Sequence, residues 1–123
     1  MQIRKSAEDY LEMILMLSEQ KGEVRSVDIA MQLGVTKPSV SVAMKNLREN
    51  GYIEMDHESL ITLTETGMAI AQRIYSRHKT LTACLRLLGV DEENARADAC
   101  KIEHDLSDAS YEAILHHMKR VQK

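Results

Sequence analysis

Three residues near the end of the chain have side chains of the types that bind divalent metal ions in proteins. Cys100, Glu103 and His104 offer a thiolate, a carboxylate and an imidazole at spacings i, i+3 and i+4. On an α-helix this spacing projects all three from one face, about one turn apart. The set combines a soft sulfur ligand with harder oxygen and nitrogen ligands, as transition-metal sites do. The pattern predicts a metal-binding helix face, although Cys100 alone can equally be a small buried apolar residue.

Other candidate ligands occur far upstream. Asp9 and Glu12 have the i, i+3 spacing on a predicted first helix, and His78 lies on a predicted long central helix. Each also has a purely structural interpretation, as a helix-capping acid, a surface charge and a solvated histidine, respectively. The predicted metal ligands are Asp9, Glu12, His78, Cys100, Glu103 and His104.

The elements that must position these residues are predicted to be mainly helical. The chain has no Trp or Phe and eight Met, so its core must be mostly aliphatic, which suits helix packing. Apolar residues at spacings of three and four predict helices over residues 6–20, 26–33, 36–50, 64–88, 91–104 and 107–121. The predicted caps are Ser6, Ser26, Thr36, Thr64, Asp91 and Ser107. Two β-prone runs, 52–56 and 60–63, predict a hairpin.

Three helices followed by a hairpin form the order of a winged helix-turn-helix, in which the helix after the turn enters the DNA major groove. Residues 36–48 contain no acidic residue and three basic ones, whereas the whole chain has a net charge of -3. Short hydroxyl side chains can reach base edges, and Lys and Arg neutralise phosphates. The predicted DNA-binding residues are Arg25, Ser26, Thr36, Lys37, Pro38, Ser39, Ser41, Lys45 and Arg48. The same unit can alternatively be a packing or protein-interaction module.

The fold class expected is mainly α: a winged helix-turn-helix DNA-binding domain over residues 1–73, then a helical metal-binding and dimerisation domain over residues 74–123. At 123 residues neither part buries a large core, so we expect a homodimer. No signal peptide or membrane-spanning run is present and only two cysteines occur, so we expect a reduced, cytoplasmic protein without a membrane partner.

Essentially the whole sequence resembles the diphtheria-toxin-repressor family of metalloregulators, which has iron-responsive and manganese-responsive branches. The segments that carry the resemblance are 6–12 (SAEDYLE), 35–41 (VTKPSVS), 63–67 (LTETG), 77–78 (RH) and 99–104 (ACKIEH). The resemblance implies a metal-dependent repressor that binds double-stranded operator DNA and controls metal-homeostasis genes. Because the chain ends at Lys123, we expect a short form without the SH3-like domain of longer members.

The metal expected from the resemblance is Fe(II) or Mn(II), with one or two ions per chain. Asp9 and Glu12 match two carboxylates of the manganese branch, and His78 matches a ligand shared by the family. Cys100 departs from the manganese branch, which has glutamate there, and matches the iron branch. The remaining two predicted ligands match both branches, so the sequence combines the two patterns.

A second ion is less well supported by the sequence. Thr82 and Arg96 stand where the iron branch has the glutamate and histidine of its second site.

Two other functions compete with this one. A metallohydrolase is disfavoured, because the sequence has no nucleophile elbow, no phosphate-binding glycine loop and no substrate domain, and five or six protein ligands leave little open coordination. We therefore expect no enzymatic activity and no small-molecule substrate. A winged-helix regulator that senses a small molecule instead of metal is the stronger alternative.

Overall fold

The computed structural model describes residues 5–121, which form six α-helices and two β-strands. Three helices and then a hairpin follow one another in the order predicted for a winged helix-turn-helix, so the predicted fold class is confirmed. The elements are α1 (Lys5–Lys21), α2 (Ser26–Leu33), α3 (Lys37–Glu49), β1 (Ile53–Met55), β2 (Ile61–Leu63), α4 (Glu65–Leu87), α5 (Glu92–Ile102) and α6 (Asp108–Val121). No helix within residues 5–121 has the length and apolar character that crossing a membrane requires. The chain forms two compact units, Met1–Gln72 and Arg73–Lys123, with the boundary inside α4.

The core of the first unit is aliphatic and is assembled from α1, α2, α3 and the hairpin. On α3 the predicted apolar stripe is buried at Val40, Met44 and Leu47, with Ala43 half-buried. This stripe sets the orientation of the helix, because residues three and four apart share one face. The other buried apolar side chains of α1, α2 and the strands are Leu11, Ile14, Leu15, Leu17, Ile29, Ala30, Ile53 and Ile61.

Helix starts follow local capping chemistry at most of the predicted positions. The Thr36 side chain accepts a hydrogen bond from the Ser39 backbone N–H at 3.3 Å, and that of Thr64 accepts one from the Gly67 N–H at 3.2 Å. Two predicted caps are wrong. Ser6 lies inside α1, because Lys5 is already helical. Ser26 is the first helical residue of α2, and the residue before it takes the cap position.

The start of α2 is explained by Asp28. Its carboxylate accepts a hydrogen bond from the Arg25 backbone N–H at 2.9 Å. An acid in the first turn of the helix thus fixes the residue that precedes the helix, as in a capping box. Hydrogen bonding to the Lys21 ammonium, and then to the Arg25 N–H, lowers the pKa of Asp28 below its ordinary value. The polar group that organises this helix start is therefore Asp28 and not the predicted serine hydroxyl.

The hairpin is antiparallel, with Ile53 opposite Leu63 and Met55 opposite Ile61. Its loop is organised by Asp56, whose carboxylate accepts the backbone N–H groups of Leu60 and Glu58. These hydrogen bonds, that from Leu60 most strongly, lower the pKa of Asp56 below its ordinary value.

Gly67 fits against the base of the hairpin. A Cβ added to Gly67 would lie 2.0 Å from the Tyr52 carbonyl oxygen, so no other residue fits without moving backbone. Thr64 holds the same junction, because its side chain donates to the Gly51 carbonyl at 2.7 Å and its backbone N–H donates to that of Tyr52 at 3.1 Å. The segment that leaves the hairpin is thereby fixed to the segment that enters it.

The second unit contains the rest of α4 with α5 and α6. Its buried apolar side chains are Ile74, Leu81, Ala95, Ala99, Tyr111 and Met118. Residue 88, the last of the predicted helix 64–88, lies just after the end of α4. Leu88 is 74% exposed there, because Gly89, with φ +101°, turns the chain. Ala69, on the first-unit part of α4, is also exposed.

Candidate metal centre and nucleic-acid interface

The segment that bears Cys100, Glu103 and His104 begins as a well-capped helix. Asp91 caps α5 by accepting the Asn94 backbone N–H at 3.0 Å and its side-chain amide at 2.7 Å. These hydrogen bonds, the side-chain one first, lower the pKa of Asp91 below its ordinary value.

The helix ends sooner than predicted, at Ile102. Glu103 is its C-cap, with a helical φ of -61° and a backbone N–H that still bonds the Ala99 carbonyl, and His104 lies in the following turn. The three predicted ligands are therefore not all within one helix, although Cys100 and Glu103 keep their helical spacing.

Arg77 provides the physical reason for this early end. It is 3% exposed on α4, and its Nη1 donates to the backbone carbonyls of Glu103 at 3.1 Å and Leu106 at 2.7 Å. Its Nη2 pairs with the Asp108 carboxylate, and its guanidinium lies over the Tyr111 ring at 5.0 Å from the centroid. The guanidinium captures carbonyls that a continuing helix would use, so the turn that carries the ligands is anchored to α4.

Glu103 is the centre of the candidate site. Its side chain is 0% exposed. This is an unusual position for a carboxylate, because burying a charge costs on the order of several kcal/mol unless the charge is compensated. Oε2 lies 3.0 Å from His78 Nδ1, and Oε1 lies 3.4 Å from His104 Nε2. Oε1 has no hydrogen-bond partner among the residues described. Two imidazoles therefore flank a buried carboxylate that retains capacity for a further bond.

His78, Cys100 and Glu103 each offer one ligand atom, and these atoms lie within 4.8 Å of one another. Metal bonds to nitrogen, oxygen and sulfur of about 2.0–2.3 Å would bring such atoms onto one ion after small side-chain rotations. Cys100 is exposed and Cys84 is half-buried, and neither forms a disulfide bond. The exposure of Cys100 argues against its alternative interpretation as a buried apolar residue. The buried Glu103 carboxylate has one oxygen without a hydrogen-bond partner in the described part of the chain, and the Cys100 thiol and His78 imidazole lie beside it. This set of groups fits a divalent transition metal.

The two other predicted ligands lie on α1 in the first unit. Glu12 is buried and Asp9 is half-buried, and their i, i+3 spacing places them on one face of that helix.

The predicted DNA-reading residues of α3 are all exposed: Thr36, Lys37, Pro38, Ser39, Ser41, Lys45 and Arg48. Thr36 and Ser39 differ in whether their hydroxyl hydrogen is available to bond DNA. The Thr36 hydroxyl donates to Ser39 Oγ at 2.8 Å while it accepts the Ser39 N–H. The hydroxyl hydrogen of Thr36 is thus used in the cap, whereas that of Ser39 is available for a base edge or phosphate.

The remaining predicted DNA-binding residues are Arg25, the exposed N-cap of α2, and Ser26, its half-buried first helical residue. The hairpin tip differs in charge, because Glu54, Asp56 and Glu58 are all exposed there. Positive charge suited to phosphate is therefore found at the start of α2 and along α3, and not at the tip of the wing.

Sequence reasoning did not assign a role to Arg77, which anchors the turn that bears the ligands. Arg77 could have been noticed because it precedes His78 and because its partners Asp108 and Tyr111 are present in the last helix. Nothing in the sequence, however, indicates that these residues contact one another. Gly67 was noticed only as part of a motif, and its close approach to Tyr52 gives the physical reason for a glycine there.

Two family models match the chain. The model described as iron dependent repressor, N-terminal DNA binding domain, matches residues 2–60, and the model described as iron dependent repressor, metal binding and dimerisation domain, matches residues 64–123. Transcriptional regulator MntR of Escherichia coli O6:H1 is 39% identical over 111 residues, which cover 90% of this chain and 72% of that protein. HTH-type transcriptional regulator MntR of Geobacillus thermodenitrificans is 42% identical over 102 residues, 83% of this chain and 72% of that protein.

A solved structure titled manganese-dependent transcriptional repressor complex with manganese superposes with a TM-score of 0.81 at 28% identity. The match covers 92% of this chain and 52% of the other, so the chain spans about half the length of that structure. The DNA-binding half and the metal-binding and dimerisation half are both matched. The chain therefore belongs to the iron dependent repressor family, whose members are metal-dependent DNA-binding transcriptional regulators.

Proposed function

We propose that this chain is a repressor that binds operator DNA through α3 when a divalent metal occupies the site around Glu103. The observation that carries the proposal is the fully buried Glu103 carboxylate, which has His78 and Cys100 ligand atoms within 4.8 Å. A buried carboxylate in this setting gains by binding a cation, since the alternative is an incompletely compensated charge.

We propose that the complete ligand set also includes Asp9, Glu12 and His104. Their support is the ligand chemistry of the side chains, the i, i+3 spacing on α1 and the resemblance to the manganese branch. Asp9 and Glu12 belong to the DNA-binding domain, proposed as residues 1–73, and the other ligands to the dimerisation domain, proposed as residues 74–123. When bound, a divalent ion supplies positive charge and directional bonds to these ligands. Ligands drawn from both domains would then restrict the freedom of one domain relative to the other.

This restriction is the proposed basis of corepression. A dimeric repressor must hold its two reading helices about 34 Å apart to read successive half-sites. If a dimer samples many arrangements, its apparent DNA affinity is its intrinsic affinity multiplied by the fraction of molecules in the arrangement that can bind DNA. Metal binding that favours this arrangement raises the apparent DNA affinity by the factor by which it increases that fraction. The genes controlled would be those of metal homeostasis.

Mn(II) or Fe(II) is the proposed metal. The related proteins named MntR and the manganese-bound repressor structure favour Mn(II), and the three carboxylates suit that hard ion. Cys100 favours a softer ion such as Fe(II). The described part of the second unit offers one cluster of ligand atoms, at His78, Cys100 and Glu103. This cluster supports at least one ion per chain, and the proposal allows one or two.

Catalysis, a small-molecule substrate and a membrane partner have no place in this proposal, and the proposed setting is the cytoplasm. The family match favours metal over the alternative of a small-molecule effector. Metal analysis of the purified protein distinguishes the two effectors directly.

The test of the proposed function is DNA selection with the full chain. Random duplexes are enriched with Mn(II), with Fe(II) under anaerobic conditions, and with a chelator, and the affinity for the enriched duplex is then measured. We expect one enriched sequence with two half-sites, bound at least about tenfold more tightly with metal than with chelator. Equal affinity under all three conditions would contradict the proposal.

We also predict a homodimer formed by the second unit. Leu87 and Leu88 are 57% and 74% exposed there, and Ile102 and Val121 are exposed as well. Leu88→Asp is expected to weaken dimerisation by roughly tenfold or more, because it places a charge in an apolar contact. Met31→Asp is the matched control, since Met31 is 77% exposed on α2 of the other unit. Sedimentation equilibrium of both variants measures the effect; a parent protein that is monomeric at micromolar concentration would refute the prediction.

A further inference from the structure

Helix α3 displays one large apolar side chain on its exposed surface, Val42. It is 61% exposed, whereas Val40, Met44 and Leu47 on the same helix are at most 4% exposed. Val42 therefore contributes little to the core of its own unit. A β-branched residue is also a mediocre helix former, so neither packing nor helix propensity accounts for valine at this position.

The surroundings of Val42 are mostly polar and carry no negative charge. Residues three and four away on a helix share its face, and here these are Pro38, Ser39, Lys45 and Asn46. All four are exposed, and the sole acidic residue of α3 is Glu49, its last helical residue. A surface for another protein would gather several apolar side chains. An isopropyl group that has one proline ring beside it and otherwise hydroxyl, ammonium and amide groups instead suits a polar, anionic partner that offers one apolar group.

The DNA major groove has this composition. Among the groups that the four bases expose there, the C5 methyl of thymine is the apolar one, and the others are hydrogen-bond donors or acceptors. A valine cannot hydrogen-bond, so it gains nothing from a guanine or adenine edge. Against the cytosine amino group it would lose free energy, because that group would give up water without gaining a partner.

We propose that Val42 is a specificity-determining residue that packs against a thymine methyl in each operator half-site. Ser39 and Lys45, one turn to either side, hold the helix to nearby base edges and phosphates. This inference rests on the proposed DNA-binding function and adds to it a defined base preference at one position of the half-site.

The experiment uses the metal-loaded full chain and the duplex that it enriches from a random pool. Each thymine is replaced singly by deoxyuridine, which lacks only the C5 methyl, and affinity is measured by fluorescence anisotropy. The proteins compared are the parent, Val42→Ala and Met31→Ala. Alanine removes the two methyl groups of Val42 and favours the helix, so the variant is expected to fold. Met31 is the matched control, because it is an exposed apolar residue on α2.

For the parent and for Met31→Ala, we expect one thymine per half-site at which loss of the methyl lowers affinity about fourfold, as burial of one methyl group implies. Val42→Ala changes both protomers of the proposed dimer, so it should bind the unmodified duplex more weakly by about fourfold per half-site, roughly 15-fold in all. It should show no further loss at that thymine. The inference is overturned if no thymine is sensitive in the parent, or if Val42→Ala keeps the same sensitivity. In either case the metal-dependent enrichment of one DNA sequence would still support the proposed function. If no sequence is enriched, both proposals fail.

Discussion

Replacing Glu103 by glutamine is expected to lower the affinity for Mn(II) or Fe(II) by at least about 100-fold and to abolish metal-dependent DNA binding. The substitution keeps the volume of the side chain and removes its charge. Glu103 is 0% exposed and lies between His78 and His104, so no solvent-facing carboxylate in the second unit can substitute for it. The measurements are isothermal titration with each metal and anisotropy with the enriched duplex.

The matched control is Glu112→Gln, which makes the same chemical change at an exposed position on α6. It should leave metal affinity unchanged. The thermal stability of the metal-free Glu103→Gln protein must also be recorded, because a buried carboxylate contributes to the fold as well as to a site. We expect it to change little, since the amide avoids the cost of burying a charge. Metal-dependent DNA binding that survives in a folded Glu103→Gln protein would exclude Glu103 as a ligand.

Replacing Cys100 by glutamate is expected to change which metal is preferred. One soft thiolate becomes a hard carboxylate, while the remaining proposed ligands are unaltered. Mn(II) should gain affinity relative to Co(II) and Fe(II) by on the order of tenfold, equivalent to about 1.4 kcal/mol. Cys100 is exposed, so a longer side chain is expected to be tolerated there. Competition titrations among the three metals measure the change in preference.

Spectroscopy tests the same assignment independently of affinity. In the parent, Co(II) bound to a thiolate should give a ligand-to-metal charge-transfer band that disappears in Cys100→Glu. Peroxide should abolish metal-dependent DNA binding in the parent and affect Cys100→Glu much less, because thiolate is the readily oxidised ligand of the set. Cys84→Ser is the control, as Cys84 is the other cysteine of the chain. Loss of the band in Cys84→Ser, with its survival in Cys100→Glu, would show that the wrong cysteine had been assigned.

The features that the sequence predicted correctly are those governed by neighbours along the chain. The starts of α3, α4 and α5 follow from Thr36, Thr64 and Asp91, whose side chains accept backbone N–H groups three residues on. The apolar stripe of α3 follows from periodicity alone, and the hairpin follows from two β-prone runs. Together these local rules are sufficient to give the order of elements and hence the winged-helix class.

The features that the sequence left unpredicted depend on residues distant in the chain. The end of α5 is set by Arg77, 26 residues before Glu103, through hydrogen bonds to backbone carbonyls that have no sequence signature. Gly67 is constrained by the Tyr52 carbonyl, a contact that appears only once the hairpin is formed. His78 and Glu103 were both predicted as metal ligands, but their 3.0 Å contact could not be derived from periodicity, which gives the face of a helix and not its neighbour.

The central claim is that metal occupancy and DNA binding are coupled, and the most direct test measures the coupling from the metal side. Because linkage is reciprocal, operator DNA must tighten Mn(II) binding by the same factor by which Mn(II) tightens operator binding. The measurement is a Mn(II) titration of the protein with and without the enriched duplex at fixed ionic strength. We predict that the duplex lowers the apparent dissociation constant for Mn(II) by about tenfold or more, and that a scrambled duplex of equal length does so much less. Identical Mn(II) affinities with the enriched duplex, the scrambled duplex and no DNA would contradict the account.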